Sequence, residues 1–269
     1  MKHMIRQLLV DAGRFEHLRY SIIYKWYARL FKPNLRQQYV KELNFYSSFL
    51  EKCPIIFDIG ANDGHKTEVF LQFADTVVCL EPEPANFKTL QVRFRNRMKR
   101  VILLQKAAAD ADGEMPFYIH HPGSAFNTLS NKFRALAEKE GVTRFNEQVT
   151  YEAREMIGTT TLDRLITEFG QPCFIKVDTE GFELRVLKGL SRPVRFISLE
   201  YMLPDFKDEL LVSLDILESQ FPGALSFNVA IDEELVFPHF STAAAVRAFA
   251  ERNEKFTLEL IVRNSSAAR

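Results

Sequence analysis

Neither sign of charge is in excess: 35 Lys plus Arg face 35 Asp plus Glu, a formal net charge of zero. No global field therefore draws the chain to nucleic acid or to an anionic membrane, and a small substrate, or one held by local charges, suits it better. Only three cysteines occur, Cys53, Cys79 and Cys173, and their spacing fits no metal-ligand pattern. Each lies in or beside an apolar run, as buried free thiols do. Neither a disulfide nor zinc is expected, and the expected setting is reducing and cytoplasmic. The chain lacks any run of about 18 uncharged apolar residues, which argues against a spanning helix. Its opening residues, MKHMIRQLLVDAG, are interrupted by charge too early for a signal peptide. Internal repeats and low-complexity linkers are missing as well, so 269 residues at 46% hydrophobic content point to one large domain with additions.

What is present is a rhythm that begins near residue 53. Short apolar runs at 55–59, 76–80, 101–105, 173–177 and 194–199 are too short for helices and read as buried parallel strands. Helical stretches at 64–73, 84–97, 182–190 and 207–219 separate most of them. The tail adds a run at 224–230, a helix at 242–252 and a run at 256–262, expected as a parallel strand with an antiparallel edge partner. Such alternation predicts an α/β fold, a Rossmann-type doubly wound, mostly parallel seven-stranded sheet. Residues 51–269 would form this domain and 1–50 an N-terminal helical extension. Within it, residues 15–31 mix aromatics and the single Trp26 with Arg19, Lys25 and Arg29. That helix would pack on the domain or a second subunit, or lie on a membrane surface. Residues 106–160 break the rhythm with a short strand, Met115 to Ile119, and a long polar stretch, the form of a substrate wall or a plain surface excursion.

Cofactor chemistry concentrates in Ile55-Ile56-Phe57-Asp58-Ile59-Gly60-Ala61-Asn62-Asp63-Gly64. A strand, a glycine-bounded turn and a helix start in this order mark the nucleotide position of a doubly wound sheet. A dinucleotide site would show G-x-G-x-x-G without acids. Asp58 and Asp63 would instead repel a pyrophosphate and suit S-adenosyl-L-methionine, which carries an ammonium and a sulfonium, with its carboxylate on backbone N–H groups. Glu81, 21 positions after Gly60, ends the next strand where an acid accepts ribose hydroxyls. Pro82 is a further expected cofactor contact, and Ala107 and Ala108 would lie along the adenine.

The chain resembles the FkbM family of S-adenosylmethionine-dependent methyltransferases. The resemblance rests on Phe57 to Gly64, Glu81-Pro82-Glu83-Pro84, Ala107-Ala108 leading to Asp112-Gly113, Thr160-Thr161-Leu162-Asp163, and Ile175-Lys176-Val177-Asp178-Thr179-Glu180-Gly181-Phe182-Glu183. These pieces span about residues 55–200, and Lys-x-Asp-x-Glu-Gly-x-Glu is the most specific of them. The resemblance implies a Rossmann-type methyltransferase and, commonly, O-methylation of hydroxyls on sugars, glycans or secondary metabolites.

Asp178 and Glu180 follow a strand end and are the expected catalytic pair, Asp178 first as base and Glu180 second. Glu183 reads as a helix cap. His65, His120 and His121 are alternative bases. His121, Asn127, Thr128 and Glu200 are the expected acceptor-side residues. No metal-ligand set is complete, so no metal is expected. A non-catalytic cofactor-binding or interaction subunit of the same fold is the alternative, and a nicotinamide oxidoreductase a weaker rival opposed by the acidic turn.

Overall fold

The computed structural model describes Tyr20 and residues 32–144, 147–253 and 256–267. Apart from Tyr20, the aromatic and basic stretch at 15–31 lies outside the described residues. In chain order, α1 (Pro33–Ser47) precedes β1 (Cys53–Ile59), α2 (His65–Phe70), β2 (Ala74–Leu80), α3 (Pro84–Phe94) and β3 (Val101–Leu104). The interruption holds β4 (Ala107–Ala108), β5 (Gly113–Ile119), α4 (Asn131–Arg144) and β6 (Ala153–Thr160). Then follow α5 (Leu162–Phe169), β7 (Phe174–Val177), α6 (Glu183–Lys188), β8 (Phe196–Leu203) and α7 (Lys207–Gln220). β9 (Leu225–Ile231), β10 (Glu234–Leu235), α8 (Ala243–Arg252) and β11 (Phe256–Asn264) close the chain.

The main sheet has the order β10-β9-β11-β8-β7-β1-β2-β3. The chain starts in the middle at β1, moves outward through β2 and β3, then returns to β7 on the other side. That reversal is the switch point at which open α/β sheets bind ligands. Two expectations are corrected. The sheet is mixed and has eight strands rather than seven, because the short β10 pairs with β9 as a hairpin edge. The antiparallel strand is also internal: β11 bonds to β8 along one side and to β9 along the other. With nine residues it satisfies both neighbours and leaves the small β10 as the exposed edge.

Helix starts follow local chemistry. Pro84 opens α3, and the Glu83 carboxylate caps it by accepting from Asn86 N at 2.6 Å. Thr161 and Thr242 cap α5 and α8 in the same way. Two apolar layers cover the sheet. One contains Phe45, Tyr46 and Leu50 of and after α1, with the Tyr46 ring 4.9 Å from Phe70 and 5.8 Å from Phe174. α1 is thus part of the packed layer.

Cys53 and Cys173 form a disulfide across 120 residues, against the expectation of free thiols. The first begins β1 and the second immediately precedes β7, so strand adjacency joins them where spacing gave no sign. Cys79 is a buried free thiol.

β1 lies parallel to β7 with Ile56 opposite Phe174 and Ile59 opposite Val177. Beyond the pairing the two chains nearly touch. Gly60 sits at φ +81°, and a Cβ there would come within 1.8 Å of the Asp178 carbonyl oxygen. Only glycine fits both constraints. Gly60→Ala is expected to destabilise the protein by at least about 2 kcal/mol, measured as a lowered urea midpoint with an unchanged slope; an unaltered midpoint would contradict this packing.

Candidate functional site

A cavity of about 200 Å³ opens at the switch point. Gly60, Asn62, Glu81, Pro82, Ala107, Ala108, Asn127, Asp178 and Glu180, nine of the expected site residues, line it. Its floor carries Glu81, whose Oε2 accepts from Asn62 N at 2.7 Å and whose Oε1 accepts from Glu83 N at 2.9 Å. These bonds aim the carboxylate, yet burial dominates and pushes its pKa up to about 7.

Six expected residues take other places. Asp58 is buried beneath the turn, where its carboxylate accepts from the Thr67 hydroxyl. Asp63 turns towards the helices, accepting from His65 N at 3.0 Å and from Arg93 at 3.3 Å. The N–H of Ala61 is bonded to Leu80 O at 2.9 Å. Gly64 is glycine for packing, since a Cβ would meet Phe94 at 2.5 Å and Leu90 at 2.7 Å. Thr128 is fully buried and donates to Glu180 O at 2.8 Å, bracing the loop rather than facing a ligand. His121 is exposed on the outer wall. The turn's backbone is committed too: Gly60 N bonds to Leu80 O at 3.0 Å and Gly64 N to Ala61 O at 2.8 Å. An anion-binding nest on those N–H groups, expected for a ligand carboxylate, is therefore not available at these positions.

Asp178 and Glu180 also line a second, smaller cleft with Glu183, Glu200, Met202 and Phe206. Under it Lys176, 3% exposed, donates from Nζ to Asp178 Oδ2 at 2.6 Å. Burial opposes its charge, but Asp178, Glu200 and Glu259 outweigh burial and raise its pKa. Burial, reinforced by Asp178, raises Glu200 to about 8 and Glu180 well above the carboxylate range. Glu183, raised to about 7 by burial, accepts from Thr179 N at 2.8 Å and Thr179 Oγ1 at 3.0 Å. It ties down the 178–182 turn, in which Glu180 adopts φ +53°, a costly conformation for a non-glycine residue.

The wall comes from the interruption. β4, β6 and β5 form a separate three-stranded sheet, and the loop after β5 is fastened to the cavity rim. Gly123 N donates to Glu83 Oε2 at 3.2 Å, and the Asn127 side chain holds His120 N at 2.8 Å and His121 O at 3.1 Å. His65 points away from the cavity, with Nε2 2.8 Å from Glu42 Oε2. Sequence reasoning assigned no role to Lys176, although it stands in the most specific motif; one lysine inside the buried run FIKV was the available signal. Lys106 and Ser124 also line the cavity unassigned.

Removing the ammonium leaves several carboxylates facing one another. Lys176→Met is expected to cost about 3–5 kcal/mol. Protonation relieves the repulsion, so the loss is smaller at pH 5 than at pH 8. Urea unfolding at both values tests this, and an equal loss at both would contradict it.

A family model described as the methyltransferase FkbM domain matches residues 58–232. The 2-O-methyltransferase NoeI of Sinorhizobium fredii (strain NBRC 101917 / NGR234) is 30% identical over 212 residues, covering 68% of this chain and 82% of that protein. Among solved structures, precorrin-6y C5,15-methyltransferase from Geobacter metallireducens GS-15 aligns over 85% of this chain and 87% of its own, with TM-score 0.44 and 10% identity. An rRNA methylase from Streptococcus thermophilus aligns over 83% and 94%, with TM-score 0.44 and 7% identity. The family match runs from the end of β1 to just beyond β9 and takes in the cavity and the cleft beside it; the chain belongs to the FkbM methyltransferase family.

Proposed function

We propose that this protein is an S-adenosyl-L-methionine-dependent O-methyltransferase acting on a hydroxyl of a sugar, glycan or secondary metabolite. The observation that carries the reading is the placement of Glu81 in a cavity that shares Asp178 and Glu180 with an acidic cleft. The printed activity of NoeI, a 2-O-methyltransferase, supports an oxygen acceptor.

The residues suit the cofactor. Glu81 accepts its ribose hydroxyls, and Pro82, Ala107 and Ala108 flank the adenine. The cavity is below the roughly 300–1,000 Å³ of sites that enclose a whole ligand, so it takes the nucleoside and leaves the remainder towards the cleft. S-adenosylmethionine supplies an electrophilic methyl group on a sulfonium. The chain's part is to orient the acceptor and take its proton. Asp178 is held by Lys176, whereas Glu180 has a pKa raised by burial and by Asp178. A carboxylate made more basic by its surroundings is the stronger proton acceptor, and Asp178 is already engaged by Lys176, so Glu180 replaces Asp178 as first candidate. As the new C–O bond forms, the hydroxyl proton passes to the Glu180 carboxylate. Asn127 and Glu200 stand on the acceptor side.

Two outcomes are expected. Ribose hydroxyls donate to ionised Glu81, which must lose its proton first when the pH is below about 7. Calorimetry with S-adenosylhomocysteine should give affinity that rises from pH 6 to pH 8 by up to about tenfold, and Glu81→Gln should weaken binding and flatten that rise. Absence of binding by the wild-type protein would overturn the reading. With an acceptor found by screening sugars and glycans, Glu180→Gln should lower kcat by about 10²–10⁴-fold while leaving cofactor affinity within about twofold of wild type; an unchanged kcat would remove Glu180 from the chemistry.

A further inference from the structure

We propose that His120, His121 and Glu147 form a binding site for a divalent transition cation of the zinc class, on the outer wall of the cavity. One ligand atom from each lies within 4.8 Å of the others. A tetrahedral cation with bonds of about 2.0–2.2 Å would draw them to about 3.4 Å apart, a closure that the exposed Glu147 side chain can supply.

The second observation is how the two imidazoles are held. His120 Nδ1 lies 2.8 Å from Thr150 O and 3.3 Å from Thr150 N, and His121 Nδ1 lies 3.1 Å from Pro122 O. In the tautomer that donates Nδ1–H to the nearer carbonyl oxygen, each ring presents the lone pair of Nε2. A carbonyl on the other ring nitrogen is the arrangement that orients metal-ligating histidines. The rings stand 4.6 Å apart, and Asn127 fixes their backbone by bonds to His120 N and His121 O. The two imidazoles are therefore held in place, and Glu147 closes the site on a cation.

Two imidazoles and one carboxylate favour a borderline cation over magnesium or calcium, which prefer all-oxygen ligands. Three protein ligands leave the fourth position open to water or to a hydroxyl-bearing ligand. Thr150 lies three residues after Glu147, so ligation would clip the segment following α4 onto the end of β5. The inference stands apart from the methyl-transfer reading.

The test uses tag-free, full-length protein cleared of metal by chelator. Titration with Zn²⁺ by calorimetry should show one saturable equivalent, and Co²⁺ should give the visible absorption of a four-coordinate ion. His120→Ala combined with His121→Ala should lower affinity by at least about 100-fold, and Glu147→Gln by about tenfold. The metal-free melting temperature should stay at the wild-type value, because all three side chains lie outside the core. Absence of a saturable equivalent, or wild-type affinity in the double variant, would overturn the site. Displacement of Zn²⁺ by equimolar Mg²⁺ would overturn the transition-metal assignment.

Discussion

The parallel register of β1 on β7 governs both halves of the site. Four paired positions, from Ile56 opposite Phe174 to Ile59 opposite Val177, place Asp58 beside Lys176 and bring the Gly60 turn under the Asp178 carbonyl. The same adjacency joins Cys53 to Cys173 at the other end. Because strand order reverses between these two strands, the chains leaving them diverge and a crevice opens. Slipping the pairing by one residue would send Asp58 and Lys176 to opposite faces and put a Cβ-bearing residue against the carbonyl. The backbone contact at Gly60 is therefore as much a part of the site as any side chain.

Charge follows from that geometry. Lys176 is buried on the same face as Asp58 and extends to Asp178, and Glu200 and Glu259 lie close enough to favour its charged form. One ammonium cannot offset all of these acids. Burial, reinforced by Asp178, raises the pKa of Glu180 well above the carboxylate range and that of Glu200 to about 8. The two acids flanking the turn differ in setting: Asp178 accepts from Lys176, while burial raises the pKa of Glu180.

The strands from β1 to β3, and β7, were legible because each is a short apolar run bounded by turn residues, a local property. Glu81 was legible for a similar reason, as it stands a fixed distance beyond Gly60. What escaped the sequence was pairing between distant residues. β5 and β6 pair across the whole of α4 to make a second sheet. Cys53 finds Cys173 through strand adjacency, and Glu147 reaches His120 and His121 from beyond that helix. The internal position of β11 belongs to this class, since an amphipathic strand reads alike at an edge or one place inside it. α1 is a different case. Its Glu42, fully buried, accepts from Lys66 at 3.0 Å, so a helix polar in sequence is anchored in the core by partners that its own composition does not show.

Asp58 and Asp63 show what an acidic motif does and does not establish. Both belong to the family's turn, and their charge was the reason to expect a cationic cofactor. In the fold, Thr67 occupies one, and His65 N with Arg93 occupies the other. The acids that meet the cavity come instead from the ends of β2 and β7, as Glu81, Asp178 and Glu180. Parallel strands in this sheet end on the same edge, so acids placed just after them converge there whatever their separation in sequence. These three acids, set against the single cation Lys106 among the cavity-lining residues, favour a positively charged ligand, and the acids of the turn serve to shape the wall.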